Sequence, residues 1–301
     1  MRFRTTRRAL LQALCCICFT ACALPAHSEA LPAGTSQRIV DVGGTAIEVH
    51  FYKPAHYDKG PLLVSFHGLN RNMKSYREAA RGIADRHGML LVMPLFDRPR
   101  FPYWRYQALG ITHTSRKLTS DPMVIEPQAQ WTATLILKLI DQVRNDEGQP
   151  ALDYYLIGHS AGGQVVNRFA ALVPNSAKRL VVANPSSYVR PSPQARFPYG
   201  FGGLPENMAD EPAIRRYLAQ PMTILLGTAD VLTKNLDQLP LAVQQGATRY
   251  ERGSNAFYAA QKLARDKGWE FNWRLVEVPG VGHDAKGMYR SAQAEDALFG
   301  R

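Results

Sequence analysis

The chain has 301 residues, of which 46% are apolar and 20% charged, with a formal net charge of +11. That apolar share can bury a full core and excludes a disordered or collagen-like chain, and the length suits one large domain. The positive balance is not backed by a dense basic run or a nucleic-acid motif. It therefore reads as a solvated surface, with no nucleic acid as partner and with attraction to anionic polymers or surfaces as the alternative.

The first element is a leader over residues 1–30. Arg2, Arg4, Arg7 and Arg8 precede an apolar stretch from Ala9 to Leu24, too short and too rich in small residues for stable insertion as a membrane span. It reads as an export signal, with cleavage expected after Ala30 and Ala26 as second choice, which sends residues 31–301 to the periplasm or the medium. Thr6-Arg7-Arg8-Ala9-Leu10-Leu11 resembles a twin-arginine signal, and Phe19-Thr20-Ala21-Cys22 loosely resembles a lipoprotein box with a lipid anchor at Cys22; both routes stand beside ordinary export. All four cysteines (Cys15, Cys16, Cys18, Cys22) fall in this leader, so the mature domain is expected to fold without a disulfide. The leader's four arginines and one glutamate account for +3 of the charge, leaving +8 on residues 31–301.

Beyond the leader, Arg38 to Val42 and Thr45 to Tyr52 flank Gly43-Gly44 and predict a hairpin. Leu62 to Phe66 is a buried-strand run, Tyr76 to His87 has helical spacing closed by Gly88, and Met89 to Met93 is the next strand. A long loop leads to Trp131, Leu135, Leu139 and Val143 at helical spacing, then to a strand at Tyr154 to Ile157 and a helix from Ala161 to about Val173, stopped by Pro174. Leu180 to Ala183, Met222 to Leu226 and Phe271 to Val278 are further strands, separated by helical stretches near Pro212 to Ala219 and Asn255 to Lys267. Such alternation predicts an α/β fold, a mostly parallel, doubly wound sheet with helices on both faces.

Four loops after these strands carry chemistry. Gly158-His159-Ser160-Ala161-Gly162 sits between a strand and a helix, the context of a nucleophile elbow. A serine on so tight a turn is driven to positive φ, and glycines two residues either side let the chain close. Ser160 is the candidate nucleophile. Gly227-Thr228-Ala229-Asp230 and Val281-Gly282-His283-Asp284 follow later strands, so the order is serine, acid, histidine. A serine hydroxyl is a weak nucleophile near neutral pH, so His283 is needed to take its proton, and a carboxylate must fix the histidine's tautomer. Asp230 is the first choice for that acid, with Asp237 and Asp284 as competitors; His159, beside the serine, is expected to point away from it. The fourth loop, His67-Gly68-Leu69-Asn70, is where a backbone N–H supplies half of an oxyanion hole, with the N–H after the nucleophile supplying the rest. Leu69 and Ala161 are those two residues.

With these residues in view, the chain resembles an α/β-hydrolase. His67-Gly68-Leu69, Gly158-His159-Ser160-Ala161-Gly162-Gly163, the Gly227 to Asp230 turn and the late His283 make it similar to secreted esterases of the polyhydroxybutyrate depolymerase and feruloyl esterase group. Depolymerases often carry a cysteine after the His-Gly pair where Leu69 stands, a change that a backbone donor tolerates. The resemblance implies hydrolysis of a small or polymeric carboxylic ester through an acyl-enzyme, with no metal or organic cofactor. Two aromatic loops, Arg98 to Tyr106 and Ser186 to Met208, are placed to reach the serine, so Trp104, Tyr188 and Phe201 are candidate substrate-binding residues; the alternative is that these rings anchor the loops to the sheet. A serine peptidase on the same fold and a non-catalytic binding protein retaining it stand as alternative functions. Acyl group, alcohol and oligomeric state are left open by the sequence.

Overall fold

The computed structural model describes residues 30–113 and 123–300. Residues 1–29 of the expected leader, with its cysteines and the Cys22 lipid site, lie outside the described residues. Among the described residues eight strands form one sheet: β1 (Gly34–Asp41), β2 (Ala46–Lys53), β3 (Leu62–Phe66), β4 (Leu90–Leu95), β5 (Tyr154–His159), β6 (Arg179–Ala183), β7 (Met222–Gly227) and β8 (Arg274–Val278). They lie in the order β1-β2-β4-β3-β5-β6-β7-β8. β1 and β2 form an antiparallel hairpin, β2 is antiparallel to β4, and every pairing from β4 to β8 is parallel. The hairpin turn places Gly43 and Gly44 at positive φ.

Burial follows this order. All five residues of β3 and all six of β7 are buried, as continuous apolar runs covered on both faces must be. At the sheet edge β1 alternates between half-buried and exposed positions. Ten helices flank the sheet among the described residues: α1 (Met73–His87), α2 (Tyr103–Tyr106), α3 (Thr132–Asp146), α4 (Ala161–Leu172), α5 (Glu206–Ala209), α6 (Glu211–Leu218), α7 (Pro240–Val243), α8 (Arg249–Lys267), α9 (Ala285–Arg290) and α10 (Ala292–Phe299). Two apolar clusters divide them by face. One packs Leu135 and Leu139 of α3, Val165 and Phe169 of α4, Ile214 of α6 and Ala260 of α8 against the sheet. The other packs Ala80 and Ile83 of α1, Met288 of α9 and Leu298 of α10 against the opposite face. A doubly wound sheet is the result.

The strand expectations hold to within a few residues, whereas two helical features differ. The helix expected from Asn255 begins six residues earlier, at Arg249, where the Thr248 hydroxyl accepts the Glu251 N–H at 3.1 Å and caps the first turn. Its opening turns were hidden because Arg249 and Arg252 are each only 1% exposed, a burial that charged residues do not advertise. The C-terminal helices α9 and α10 carry short apolar stripes interrupted by Ser291, and no helix was expected there.

Three buried arginines hold the loops at the carboxyl end of the sheet. Arg168 donates to the Ser187 carbonyl at 2.9 Å and the Pro198 carbonyl at 3.1 Å. Arg252 donates to Ser186 O at 2.6 Å, Asp237 O at 2.8 Å and Gly246 O at 2.9 Å. Arg249 donates to Leu232 O at 3.0 Å and Lys234 O at 2.7 Å. Guanidinium groups satisfy several carbonyls at once, which lets irregular backbone be buried beside the site.

Candidate active site

Ser160 joins β5 to α4 with φ 58° and ψ −117°, a left-handed conformation that a side chain rarely adopts. The surrounding structure enforces it. A Cβ on Gly158 would strike the Gly162 carbonyl, and one on Gly162 would strike the Phe66 carbonyl at the end of β3. The Ser160 N–H is held by the Ala183 carbonyl at 2.9 Å. The turn therefore sits wedged between two neighbouring strands, with the N-terminus of α4 beneath the hydroxyl.

The structure brings Ser160, His283 and Asp230 into one line. His283 Nε2 lies 3.0 Å from Ser160 Oγ, and its Nδ1 lies 2.6 Å from Asp230 Oδ2. The Asp230 side chain is fully buried while that of His283 is 26% exposed, so the imidazole links a desolvated carboxylate to an open cleft. Behind Asp230 stands Arg249, its Nη1 3.5 Å from Oδ1. Burial lowers the Arg249 pKa and the Asp230 charge opposes that shift. Sequence reasoning missed Arg249, since nothing local distinguishes it from a solvated helical arginine.

The competing acids are engaged elsewhere. Asp237 accepts the Tyr199 hydroxyl at 2.8 Å and the Leu239 N–H at 3.1 Å. Asp284 caps α9, accepting from Lys286 N at 3.1 Å and Gly287 N at 2.9 Å. The His159 ring lies 4.6 Å from that of His283, with Tyr76 Oη 3.3 Å from its Nδ1.

Leu69 and Ala161 both line the cleft beside Ser160. The Leu69 loop is set by its neighbour His67, which is fully buried. The Phe96 N–H donates to His67 Nε2 at 3.1 Å, so the proton sits on Nδ1, which faces the Gly68 carbonyl at 3.0 Å. Burial, with a smaller contribution from Arg71, pushes the His67 pKa down to about 3, and the ring stays neutral. The His67 carbonyl accepts the Tyr106 hydroxyl at 2.6 Å, and a Cβ on Gly68 would collide with the Tyr76 hydroxyl. Glycine is needed there for close approach.

The cleft over Ser160 encloses about 1050 Å³. Its lining includes the amides of Asn70, Asn72, Gln107, Gln164, Asn235 and Gln238, while Tyr76 and Tyr103 supply its aromatic surface. The expected pocket residues do not line it. Tyr188 and Phe201 are 0% exposed and belong to the core beneath the loop, because a loop of this length anchors itself with its own apolar side chains. Trp104 is half-buried at α2, edge-on to His113, and only its neighbours Pro102 and Tyr103 face the cleft. Among the described residues no group of three or more His, Cys, Asp or Glu side chains could hold a metal ion.

A parallel sheet with its carboxyl-end loops converging on a serine elbow defines an α/β-hydrolase fold, and solved structures agree. Poly(aspartic acid) hydrolase-1 from Sphingomonas sp. KT-1 is 30% identical, with a TM-score of 0.79 over 88% of this chain and 98% of that one. LpqC, a poly(3-hydroxybutyrate) depolymerase from Bordetella parapertussis, is 33% identical, with a TM-score of 0.77 over 87% and 90%. An S-formylglutathione hydrolase from Agrobacterium tumefaciens shares the fold at 15% identity and a TM-score of 0.51, covering 89% and 95%. No family model and no curated protein matches the chain. The chain belongs to the esterase and depolymerase group of the α/β-hydrolases and is an esterase-like hydrolase.

Proposed function

We propose that the protein is an exported serine esterase that cleaves carboxylic esters through an acyl-enzyme, with residues 31–301 as its catalytic domain. The observation that carries this reading is the continuous hydrogen-bonded line from buried Asp230 through His283 to Ser160, at 2.6 Å and 3.0 Å, on the floor of an open cleft. In the proposed reaction Ser160 Oγ attacks the ester carbonyl as His283 Nε2 takes its proton. Asp230 holds Nδ1 and stabilises the imidazolium. The backbone N–H groups of Leu69 and Ala161 receive the oxyanion. His283 then returns the proton to the departing alcohol; in the second half the same imidazole deprotonates a water that attacks the acyl carbonyl and gives that proton to Ser160 Oγ as the acyl–Oγ bond breaks and the acid leaves.

Amide hydrolysis on the same site is the second reading. It is favoured by the amide-rich lining, which suits a hydrophilic chain better than an aromatic acyl group, and by the likeness to a poly(aspartic acid) hydrolase. Export rests on the basic and apolar leader together with a cysteine-free remainder. A fluorophosphonate probe is expected to label Ser160, and Ser160→Ala to abolish turnover of short aryl esters at unchanged melting temperature. Absence of labelling on the folded protein would sink the proposal. Rates on ester and amide analogues of one acyl group decide between the two readings.

A further inference from the structure

We propose that His159, held by Tyr76, is a positioning residue for the general base, its buried ring backing that of His283 and favouring the imidazolium formed when Ser160 gives up its proton. This rests on the triad reading above.

His159 is the last residue of β5, immediately before the nucleophile, and is 2% exposed. Its ring centroid lies 4.6 Å from that of His283, with 35° between the planes. Tyr76, from α1, places its hydroxyl 3.3 Å from His159 Nδ1, and the same hydroxyl abuts Gly68 of the Leu69 loop. Tyr289, from α9, meets the Tyr76 ring edge-on at 6.3 Å. One aromatic stack thus joins α1 and α9 to the His283 imidazole. The His159 ring has its Nε2 buried without a hydrogen-bond partner among the described residues, so its place beside His283 is set by ring packing and by Tyr76.

Charge explains the choice of a ring here. Burial drives the His159 pKa well below its ordinary value, and the positive charges of His283 and Arg249 add to that, so His159 stays neutral. A neutral aromatic face attracts a cation that forms against it. The other groups around His283 are accounted for. Asp230 holds its Nδ1, Ser160 faces its Nε2, Asp284 caps α9 with both carboxylate oxygens, and Arg249 is turned to Asp230 and two carbonyls. His159 is the neighbour that supplies an uncharged face.

The test is the pH profile of kcat/KM for p-nitrophenyl butyrate, measured on the mature protein as wild type, His159→Leu, His159→Phe and Tyr76→Phe, with melting temperatures. Losing the aromatic face should lower the plateau about two- to fivefold and move the acid limb of His159→Leu to lower pH by about half a unit. His159→Phe keeps the face and should restore the limb to its wild-type position. A folded His159→Leu with a wild-type limb, or a limb displaced equally in the phenylalanine variant, overturns the proposal. Should His159→Leu fail to fold, Tyr76→Phe, which loses one oxygen, is expected to shift the limb in the same direction, and an unchanged profile overturns it. Fluorophosphonate labelling of wild-type Ser160 keeps the two readings apart, since labelled wild type with an unaffected His159 series removes only this one.

Discussion

Ser160 holds a positive φ that costs on the order of 1–3 kcal/mol, and the residues around it show how that strain is imposed. Gly158 and Gly162 are the tolerance points, because a Cβ on the first would strike the Gly162 carbonyl in α4 and one on the second the Phe66 carbonyl at the end of β3. Gly162→Ala is therefore expected to lower stability by about 3 kcal/mol, seen as a lower urea midpoint, and to reduce turnover with it. Asp230 makes a different demand. Asp230→Asn preserves volume but cannot hold the same imidazole tautomer, so kcat for an aryl ester should fall by about four orders of magnitude, and the melting temperature should drop as well because buried Arg249 loses its counter-charge. Both residues were legible in the sequence, since a glycine-flanked serine after an apolar run and an acid after the next strands are local patterns.

At the scale of elements, α8 does more than cover the sheet. Its first turn sends Arg249 under the loop that follows β7, where it meets Asp230 and the carbonyls of Leu232 and Lys234. Arg249→Met removes those partners from buried acceptors, and a loss of about 3 kcal/mol or more in unfolding free energy is expected, with a lower kcat as Asp230 loosens. Urea unfolding and steady-state kinetics on one preparation check this. The start of α8 escaped periodicity because its inward face carries Arg249 and Arg252 where an apolar stripe would be looked for. The aromatic loops misled for the opposite reason. Tyr188 and Phe201 look like pocket residues in the sequence, yet the loop's backbone turns them beneath itself.

For the whole molecule, two buried neutral histidines beside the site set a pH dependence. His67 has a folded-state pKa near 3 and that of His159 is also well depressed, both chiefly by burial, against an ordinary value of 6.5. Below about pH 6.5 the unfolded chain binds protons that the folded chain refuses, so stability falls as pH drops toward 3. At about pH 5 His67 alone should cost about 2 kcal/mol relative to neutral pH, and His159 adds to it. Urea midpoints at the two pH values measure the loss, and a flat profile contradicts it. By itself the sequence determined the α/β alternation, the elbow and the order serine, acid, histidine, because periodicity, glycine sterics and strand ends act over a few residues. Only the tertiary structure decided what stands around those three residues. His283 reaches Ser160 across 123 residues and Asp230 across 53. The arginine behind Asp230 and the imidazole backing His283 are polar groups whose burial depends on distant partners, and no local pattern encodes such a partner.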